Sequence, residues 1–525
     1  DTDFSVTQGR DKSTTEFYQA DISLEQDIGS RGHLTLLAGQ SKSVFDNPYS
    51  RQITFSHFDG DGFIFDARPD SRRPIMNYGF DATNPNNWQF QPGYDKIRIF
   101  TTKVTNRLRT FKADFKYDVT DSITAKVGFA YKQFDFAAAR QQRFAGTTAI
   151  PTLASAGLNI AAVSLQPITI DTLGLGQGST TSFIVPDLEK ISQAFDIGCN
   201  CVNQYGDWRI GSVGTGAQGD NRSITERDLS PYVQADFKFE FGNGMILRGD
   251  AGVRYARTQQ TARGFVGAGV PVEVKREYHN WLPAANFALD VTPQVTVRLA
   301  AARVMSRPAL GQLTPGGAID TRFPPFSATL GNPDLDPFLA TNFDAGVEWY
   351  FQPGAGLSLT YFHKNISSFV QQLGVATTYA ESGLPLNILL PGQAADTPTN
   401  LITFDNTEGG KINGFEAQYQ QPFTFLPGAL KNFGAILNYT YIKSKISYFV
   451  STNRADPAFT APLLNVSPHA ANATFYYDDG RFSARVSLAY RDEYVRQVPF
   501  RPNVPDYAGS NSTTNIDASV SYNLT

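Results

Sequence analysis

The sequence predicts an all-β protein whose antiparallel strands form one large transmembrane barrel. The first observation is alternation, since stretches of about ten residues place apolar side chains at every second position. The second is that short turns and long connections follow one another along the chain, which is typical of outer-membrane barrels. The third is composition: 41% hydrophobic and 13% aromatic residues, with no apolar run of about eighteen residues, argue against helical membrane spans and suit a barrel.

Roughly fifteen segments alternate in this way and are predicted to be strands. The clearest begins at Phe343, where Val347 and Trp349 share one face while Asp344 and Glu348 lie on the other. In chain order the predicted strands are Phe17–Ile28, His33–Gln40, Leu108–Tyr117, Ile123–Phe136, Val233–Phe241, Leu247–Tyr255, Tyr278–Asp290, Val295–Leu299, Phe343–Phe351, Leu357–Phe362, Gly414–Gln421, Phe433–Ile442, His469–Tyr477, Phe482–Arg491 and Ala518–Leu524.

The connections between these segments are unequal in length. Tight turns are predicted at Asn243-Gly244, Pro353-Gly354 and Asp479-Gly480 because these residue pairs adopt the backbone angles that hairpins need. Long connections are predicted at about 44–102, 140–226, 307–338, 374–408, 450–466 and 495–512. A soluble β-sandwich would share the alternation of side chains, but long loops confined to one end favour a barrel.

The polar face of the predicted strands carries charges of both signs. Mixed charge suits a wide, wet lumen or one filled by a polar domain, and a narrow eight-stranded barrel would have no room for it. The net charge of −4 gives no basic patch for a nucleic-acid partner. The charged residues assigned to this face are Asp114, Lys116, Asp236, Lys238, Glu240, Arg248, Asp250, Arg254, Arg298, Asp344, Glu348, Arg485 and Asp517.

Two cysteines, Cys199 and Cys201, lie in a C-N-C triplet within a long polar segment. The spacing does not fit a zinc or redox CxxC motif, and there is no second pair. A local disulfide formed in an oxidising compartment is the favoured interpretation, and two free thiols are the alternative.

Several motifs together resemble those of TonB-dependent outer-membrane receptors. They are Arg303–Pro308, Asn332–Pro337, Ala340–Asp344, Glu348–Phe351, Ile412–Glu416 and Tyr419–Phe423. With Asn438–Tyr441 and Phe482–Val486, the set is most similar to the large branch of this family typical of Xanthomonas and Caulobacter relatives. Within this set, Arg303 and Arg307 are candidate ion-pair partners of Asp334 or Asp336.

The resemblance implies a barrel of about 22 strands in a Gram-negative outer membrane, filled by an N-terminal plug domain. It also implies coupling to the TonB–ExbB–ExbD complex through a TonB box. Residues 1–525 are then expected to be part of the barrel domain, with the plug, several early strands and the last strand outside this sequence. In such a barrel Arg298, Asp344, Glu348 and Arg485 should face the lumen and the plug.

No catalytic motif or metal-ligand spacing stands out, so the sequence predicts neither an enzyme nor a cofactor. The candidate ligand contacts are loop aromatics with polar neighbours, because sugar rings and flat aromatic ligands both stack on aromatic faces. These residues could equally pack the loops together. They are Trp88, Tyr94, Asp95, Tyr205, Asp207 and Trp208.

The resemblance implies active import of a large nutrient, with an oligosaccharide as the first candidate and a ferric siderophore as the second. A passive porin or a surface-adhesion barrel is the alternative from another class. The expected partners are the TonB complex, outer-membrane lipids and a small-molecule or oligosaccharide substrate, and no nucleic acid.

Overall fold

The computed structural model describes residues 2–90, 97–143, 152–170, 173–213, 217–242, 244–266, 270–321, 324–384, 386–389, 392–450, 458–499 and 507–524.

Fifteen strands in these ranges form the wall of the barrel. They are β1 Thr2–Ile28, β2 Gly32–Gly60, β3 Ile97–Thr120, β4 Ile123–Arg143, β5 Arg222–Glu240, β6 Ile246–Val266, β7 Val270–Thr292, β8 Val295–Ser306, β9 Phe338–Gln352, β10 Ala355–Thr378, β11 Gly410–Pro422, β12 Phe433–Tyr448, β13 His469–Asp478, β14 Phe482–Arg491 and β15 Thr513–Tyr522.

Each of these strands pairs antiparallel with the next one in the chain, from β1 to β15. Such an up-and-down order requires only hairpin connections, as the sequence predicts. The all-β antiparallel architecture is therefore confirmed. Within the described ranges, no helix is both long and apolar enough to span a membrane.

The two faces of the wall have different chemistry. Phe343, Val347 and Trp349 are 46%, 42% and 48% exposed, and on β10 Leu359 lies opposite Val347. The register carries this apolar face across β11 to β15 as a continuous band. Glu348 lies on the opposite face, where charged side chains pair with one another. Apolar side chains that stay exposed in a continuous band are those that meet lipid.

The connections at one end of the wall are short. They are the turns at 29–31, 121–122, 293–294, 353–354 and 479–481, the link between β5 and β6, in which Asn243 of the predicted Asn243-Gly244 turn lies outside the described residues, and the ten-residue link 423–432. Gly354 in the turn between β9 and β10 has φ +76°, a conformation that a residue without a Cβ adopts most easily. With the exception of the 267–269 link in the long β6–β7 hairpin, the connections at the other end are long. The predicted inequality of the two ends is therefore confirmed, and the second end is called the long-loop end below.

Several strands continue beyond their predicted limits. β2 extends to Gly60 and β10 to Thr378, so the connections predicted to begin at about 44 and 374 start later. β6 and β7 continue as a hairpin to Val266 and Val270. Beyond the apolar band, polar segments such as Asp46–Pro48 in β2 and Gln371–Gln372 in β10 interrupt the alternation that marks a strand in the sequence, although the backbone pairing continues.

The connections at both ends contain shorter elements. The single α-helix in the described ranges is α1, Leu188–Phe195. Short 3-10 helices span Pro85–Asn87, Leu153–Ala156, Ala161–Val163, Gln218–Asp220, Leu310–Leu313, Leu386–Ile388 and Gly428–Asn432. Additional strands span Ile64–Asp66, Ile75–Asn77, Gln89–Phe90, Ile168–Thr169, Ser182–Phe183, Val202–Asn203, Gly206–Asp207, Ile210–Gly211, Gly317–Asp320, Phe326–Leu330, Pro398–Thr407, Phe459–Ala461, Tyr494–Gln497 and Ala508–Ser510.

Candidate functional site at the long-loop end

The connections β2–β3 and β4–β5 fold against the ends of β2 and β3 and share one hydrophobic core, called the loop core. Its buried members come from the two strands and from both connections. Because this much apolar area is removed from water, the two loops form a packed unit rather than separate flexible segments. The buried members are Ile53, Phe55, Ala82, Trp88, Ile97, Ile99, Leu153, Val163, Ile184, Leu188, Ile191, Phe195, Ile197 and Trp208.

Helix α1 attaches the second loop to β1 and the loop core. Asp187 caps its first turn by accepting hydrogen bonds from the backbone N–H of Glu189 and Lys190, each at 3.1 Å, which satisfies donors that the helix leaves free. Ile191 and Phe195 are four residues apart and fully buried, so they lie on one helix face. The Leu188 N–H donates to Oε1 of Gln8 on β1 at 2.6 Å.

Trp88 and Trp208, two predicted ligand contacts, lie inside the loop core. Their side chains are 6% and 1% exposed. The Trp88 indole N–H donates to the Ala82 carbonyl oxygen at 3.0 Å, and that of Trp208 donates to Asn203 Oδ1 at 3.0 Å. The guanidinium of Arg143 covers the Trp208 ring at 4.6 Å. Both residues therefore pack the loops together in this conformation, and a ligand role for them stays a prediction that requires the loops to open.

The other predicted contacts lie beside this core. Asp207 is 1% exposed and accepts two hydrogen bonds from the Arg209 guanidinium, at 2.9 and 2.6 Å. Tyr205 is half-buried and packs edge-on against Phe195 at 5.3 Å. Tyr94 and Asp95 lie outside the described residues.

Cys199 and Cys201 are joined by a disulfide, the first of the two alternatives from the sequence. Asn200 between them adopts φ +49°, which asparagine tolerates better than most side chains. Its Oδ1 accepts a hydrogen bond from the Ile210 N–H at 3.0 Å. The bridge therefore fixes a tight turn between α1 and the segment that carries Trp208.

The connection after β8, residues 307–337, folds over the polar face of β5 to β7 and is called the inward segment. Arg307 at its start forms ion pairs with Glu226 at 2.8 Å and Asp228 at 2.6 Å. Thr258 on β6 donates to Asp228 at 2.7 Å. These four residues, called the ion cluster, were not identified from the sequence, because their charges are far apart in the chain and converge only when β5 and β6 pair.

The ion cluster is almost sealed from solvent. Glu226 is 1% and Asp228 2% exposed, and Arg307 neutralises one of these two negative charges. Burial raises the pKa of Glu226 to about 7, against the opposing attraction of Arg307 and with a smaller contribution from Asp228. The cluster lies beyond the apolar band, since Arg257 and Glu277 form an ion pair on the outward face at the same level.

The Asn332–Pro337 motif crosses the inner ends of β6 and β7. Gln260 donates to the Pro333 carbonyl oxygen at 2.9 Å, and Arg276 donates to that of Leu335 at 2.6 Å. Leu335 itself is 1% exposed in a second apolar cluster. The motif therefore fixes a loop to the inside of the wall.

The ion pairs made by this motif differ from those expected. Asp336 pairs with Arg276, and Arg307 pairs with the ion cluster rather than with Asp334 or Asp336. The expectation was wrong because β6 and β7 extend past the apolar band and bring Arg276 closer to the motif. Asp336 also donates its N–H to Asn406 Oδ1 at 2.7 Å, which joins the inward segment to the strand Pro398–Thr407.

On the polar face within the membrane-spanning part, charged residues form cross-strand pairs. Arg298 on β8 holds Glu348 on β9 through two hydrogen bonds, at 2.7 and 3.0 Å. Asp344 is on the same face of β9 as Glu348, and Arg485 on β14 donates to Ser519 Oγ at 3.0 Å. All four residues predicted to line the lumen lie opposite the apolar band, while their contact with a plug remains a prediction.

A cavity of about 640 Å³ opens on this face at the short-turn end, beside the Pro353-Gly354 turn. Its polar lining includes Glu348, Tyr350, Gln418 and Gln420. Tyr350 donates to Glu348 at 2.9 Å. Uncharged amides and one paired carboxylate suit hydrogen bonding to a polypeptide surface better than catalysis. Within the described ranges, no group of three or more His, Cys, Asp or Glu residues could hold a metal ion.

An antiparallel wall with an outward apolar band, a charged inner face and long loops at one end defines a transmembrane β-barrel of the Gram-negative outer membrane. The sequence model described as "TonB dependent receptor-like, beta-barrel" matches residues 44–525. The chain belongs to this TonB-dependent receptor family, as its motifs predicted.

The individual proteins that this chain resembles are only distantly similar in sequence. The iron-regulated outer membrane virulence protein of Vibrio cholerae is 26% identical over 219 residues, which are 42% of this chain and 28% of that protein. The siderophore receptor PiuA from Acinetobacter baumannii shares the fold with a TM-score of 0.52 at 15% identity, over 98% of this chain and 60% of that one. The ferric-catecholate import receptor Fiu from E. coli K12 has a TM-score of 0.50 at 12% identity, over 98% and 58%. The chain therefore spans less than two thirds of each of these proteins.

Proposed function

We propose that this protein is an outer-membrane receptor that imports a bound nutrient with energy supplied through TonB. The observation that carries the proposal is the match of residues 44–525 to the receptor family. Cross-strand ion pairs on the inner face and a loop fixed across the wall are consistent with it. Binding alone cannot accumulate a nutrient against a gradient, so the TonB–ExbB–ExbD complex is the proposed source of energy.

The plug is proposed to occupy the lumen and to contact the polar cavity at the short-turn end. Amide side chains such as Gln418 and Gln420 can donate to and accept from a backbone, and Glu348 is held in place by Arg298. Asp344, which lies four residues farther from the turn than Glu348, and Arg485 on β14 are also proposed to face the plug. At the cavity, where Glu348 is paired with Arg298, the plug would dock without burying an unpaired carboxylate, which would be costly.

A ferric siderophore is the proposed substrate class. The Vibrio relative is named for its iron regulation, and the two structural neighbours above are named for siderophore or ferric-catecholate binding. The burial of Trp88 and Trp208 removes two candidate stacking surfaces for either substrate class. Tyr205, whose ring is half-buried, remains a candidate ligand contact.

An oligosaccharide is the second candidate. It is favoured by the motifs Ile412–Glu416 and Tyr419–Phe423, which resemble the large receptor branch noted above. The two substrate classes differ in charge and in iron content, so uptake experiments separate them directly.

The test compares a strain lacking the gene with the same strain complemented in trans. Uptake of ⁵⁵Fe bound to a panel of siderophores would be measured in iron-limited medium, and growth would be measured on a panel of oligosaccharides. We expect loss of iron uptake from one siderophore class, restored by the complementing gene, with intact growth on every glycan. The reverse pattern would contradict the siderophore assignment and support the oligosaccharide.

The energy requirement is tested by a matched strain that keeps the receptor and lacks TonB. Active import predicts that this strain binds the substrate at its surface but does not accumulate it. Accumulation that continues without TonB would overturn the transporter proposal and would support a passive porin.

A further inference from the structure

Three lysines form a basic patch on the outward face of the wall at the long-loop end. Lys411 on β11 lies directly opposite Lys445 on β12, and Lys443 lies opposite Asn413. All three lysines are exposed. Residues opposite one another in an antiparallel pair have Cβ atoms about 5 Å apart, and diagonal neighbours are about 7 to 8 Å apart. The three ammonium groups can therefore reach one ligand. They are called the lysine patch.

The patch lies immediately beyond the apolar band. On β12 the outward residues nearest to it are Tyr439 and Tyr441, and Phe415 on β11 pairs with Tyr441. The rings of Phe415 and Tyr441 are 5.6 Å apart, and Tyr441 is 5.1 Å from the His469 ring. Aromatic side chains in such a row mark the boundary between the hydrocarbon and the headgroups. The lysines are thus at the height of the lipid headgroups in the leaflet that faces the long loops.

Among the described residues, no carboxylate neutralises the charges of the patch. In the described part of the chain, none of the three lysines makes an ion pair. Like charges directly opposite one another destabilise a sheet, so Lys411 and Lys445 oppose the pairing of β11 with β12. A bound anion would remove this repulsion.

The outward charges of β6 and β7 provide a contrast. There Arg257 pairs with Glu277 at 2.7 Å, and Glu273 pairs with both Arg263 at 2.6 Å and Lys275 at 2.9 Å. Arg257, Arg263 and Lys275 therefore each have a carboxylate partner within the protein. The lysine patch has no such partner within the described ranges, although it also lies just outside the apolar band.

We propose that the lysine patch binds the phosphorylated headgroup of an outer-leaflet glycolipid, with the aromatic row packed against the acyl and sugar portion below it. Lysine suits this role because its ammonium is a compact charge on a long flexible stem that can follow a phosphate. Clusters of basic residues beside a membrane bind anionic lipids for the same electrostatic reason. The proposal is independent of the imported substrate.

The experiment uses the receptor purified from outer membranes in detergent and measures its binding to bisphosphorylated hexa-acyl lipid A by native mass spectrometry. The test variant is Lys411→Gln/Lys443→Gln/Lys445→Gln. The control variant, Arg257→Gln/Arg263→Gln/Lys275→Gln, removes the same number of charges from the paired side. Resistance of the folded barrel to unfolding in cold SDS confirms that each variant is folded.

Each lysine is expected to contribute roughly five-fold to the affinity for lipid A, so the test variant should bind lipid A about 100-fold more weakly than the wild type. The control should stay within about three-fold of the wild type, and dephosphorylated lipid A should bind the wild type as weakly as lipid A binds the test variant. The proposal is wrong if the folded test variant keeps its affinity within about three-fold, if the control loses as much as the test variant, or if dephosphorylated lipid A binds equally well.

Discussion

Arg307→Ala should release the inward segment from the wall. The arginine is the cation that faces both Glu226 and Asp228, which are 1% and 2% exposed. Removing one partner of a buried ion pair costs about 3–5 kcal/mol, because an uncompensated charge stays behind. The side chain of Arg307 is 25% exposed, so water can enter the space that it leaves. We therefore expect the low end of this range, about 3 kcal/mol.

Hydrogen–deuterium exchange measures this loss locally. The reporter is the amide of Asp336, which donates to Asn406 only while the inward segment is in place. A loss of about 3 kcal/mol raises its exchange rate by roughly 150-fold if exchange occurs through opening of the segment. Mass-spectrometric analysis of peptides that span 331–337, in the wild type and in Arg307→Ala, gives this ratio.

Two comparisons decide whether the reasoning holds. Arg303→Ala removes an exposed arginine from the outward face of β8, just before the inward segment, and should change the exchange rate by less than three-fold. Adding Glu226→Gln and Asp228→Asn to Arg307→Ala removes the two carboxylates that lack a cation. This triple variant should recover much of the protection against hydrogen exchange. Equal exchange in wild type and Arg307→Ala, or failure of the charge-free variant to recover any protection, would refute the role assigned to the ion cluster.

Three further predictions concern the wall and the pH response. Leu359→Arg should reduce the fraction of barrel that is folded in outer membranes, because arginine on the lipid face costs about 2–4 kcal/mol near the middle of the bilayer; Ser358→Arg, on the polar face next to it, should fold normally, and equal loss in both variants would contradict the assigned faces. Gly414→Ala should lower the melting temperature by an amount equivalent to about 1–3 kcal/mol, since a Cβ there would lie 2.3 Å from the Tyr441 carbonyl oxygen; an unchanged melting temperature would argue against this close approach. Burial in the folded state raises the pKa of Glu226 from 4.5 to about 7, so the folded state binds more protons than the unfolded state between these pH values, and the long-loop end should lose stability as the pH rises through this window. The difference in melting temperature between pH 5 and pH 8 should therefore be smaller in Glu226→Gln than in the wild type, and equal differences would exclude Glu226 as the origin of the pH dependence.

Much of the wall is determined by the sequence. Residues such as Phe343, Val347 and Trp349 must meet lipid, while Asp344 and Glu348 must not. The resulting period-two pattern in the sequence therefore shows where the strands lie and which of their faces is turned to the membrane. Turn residues such as Gly354 locate the hairpins. The family motifs add the identity of the barrel, and the match to residues 44–525 confirms it.

The tertiary structure decided what lies beyond the apolar band. There polar segments such as Asp46–Pro48 in β2 and Gln371–Gln372 in β10 interrupt the apolar alternation, so the sequence does not show that β2 extends to Gly60 or that β10 extends to Thr378. It also cannot show that Trp88 and Trp208 are buried together, because an aromatic residue in a loop has the same local sequence whether it stacks on a ligand or on its neighbours. The ion cluster could not be predicted for a related reason. Glu226 and Arg307 are far apart in the chain, and only the pairing of the strands between them brings their charges into contact.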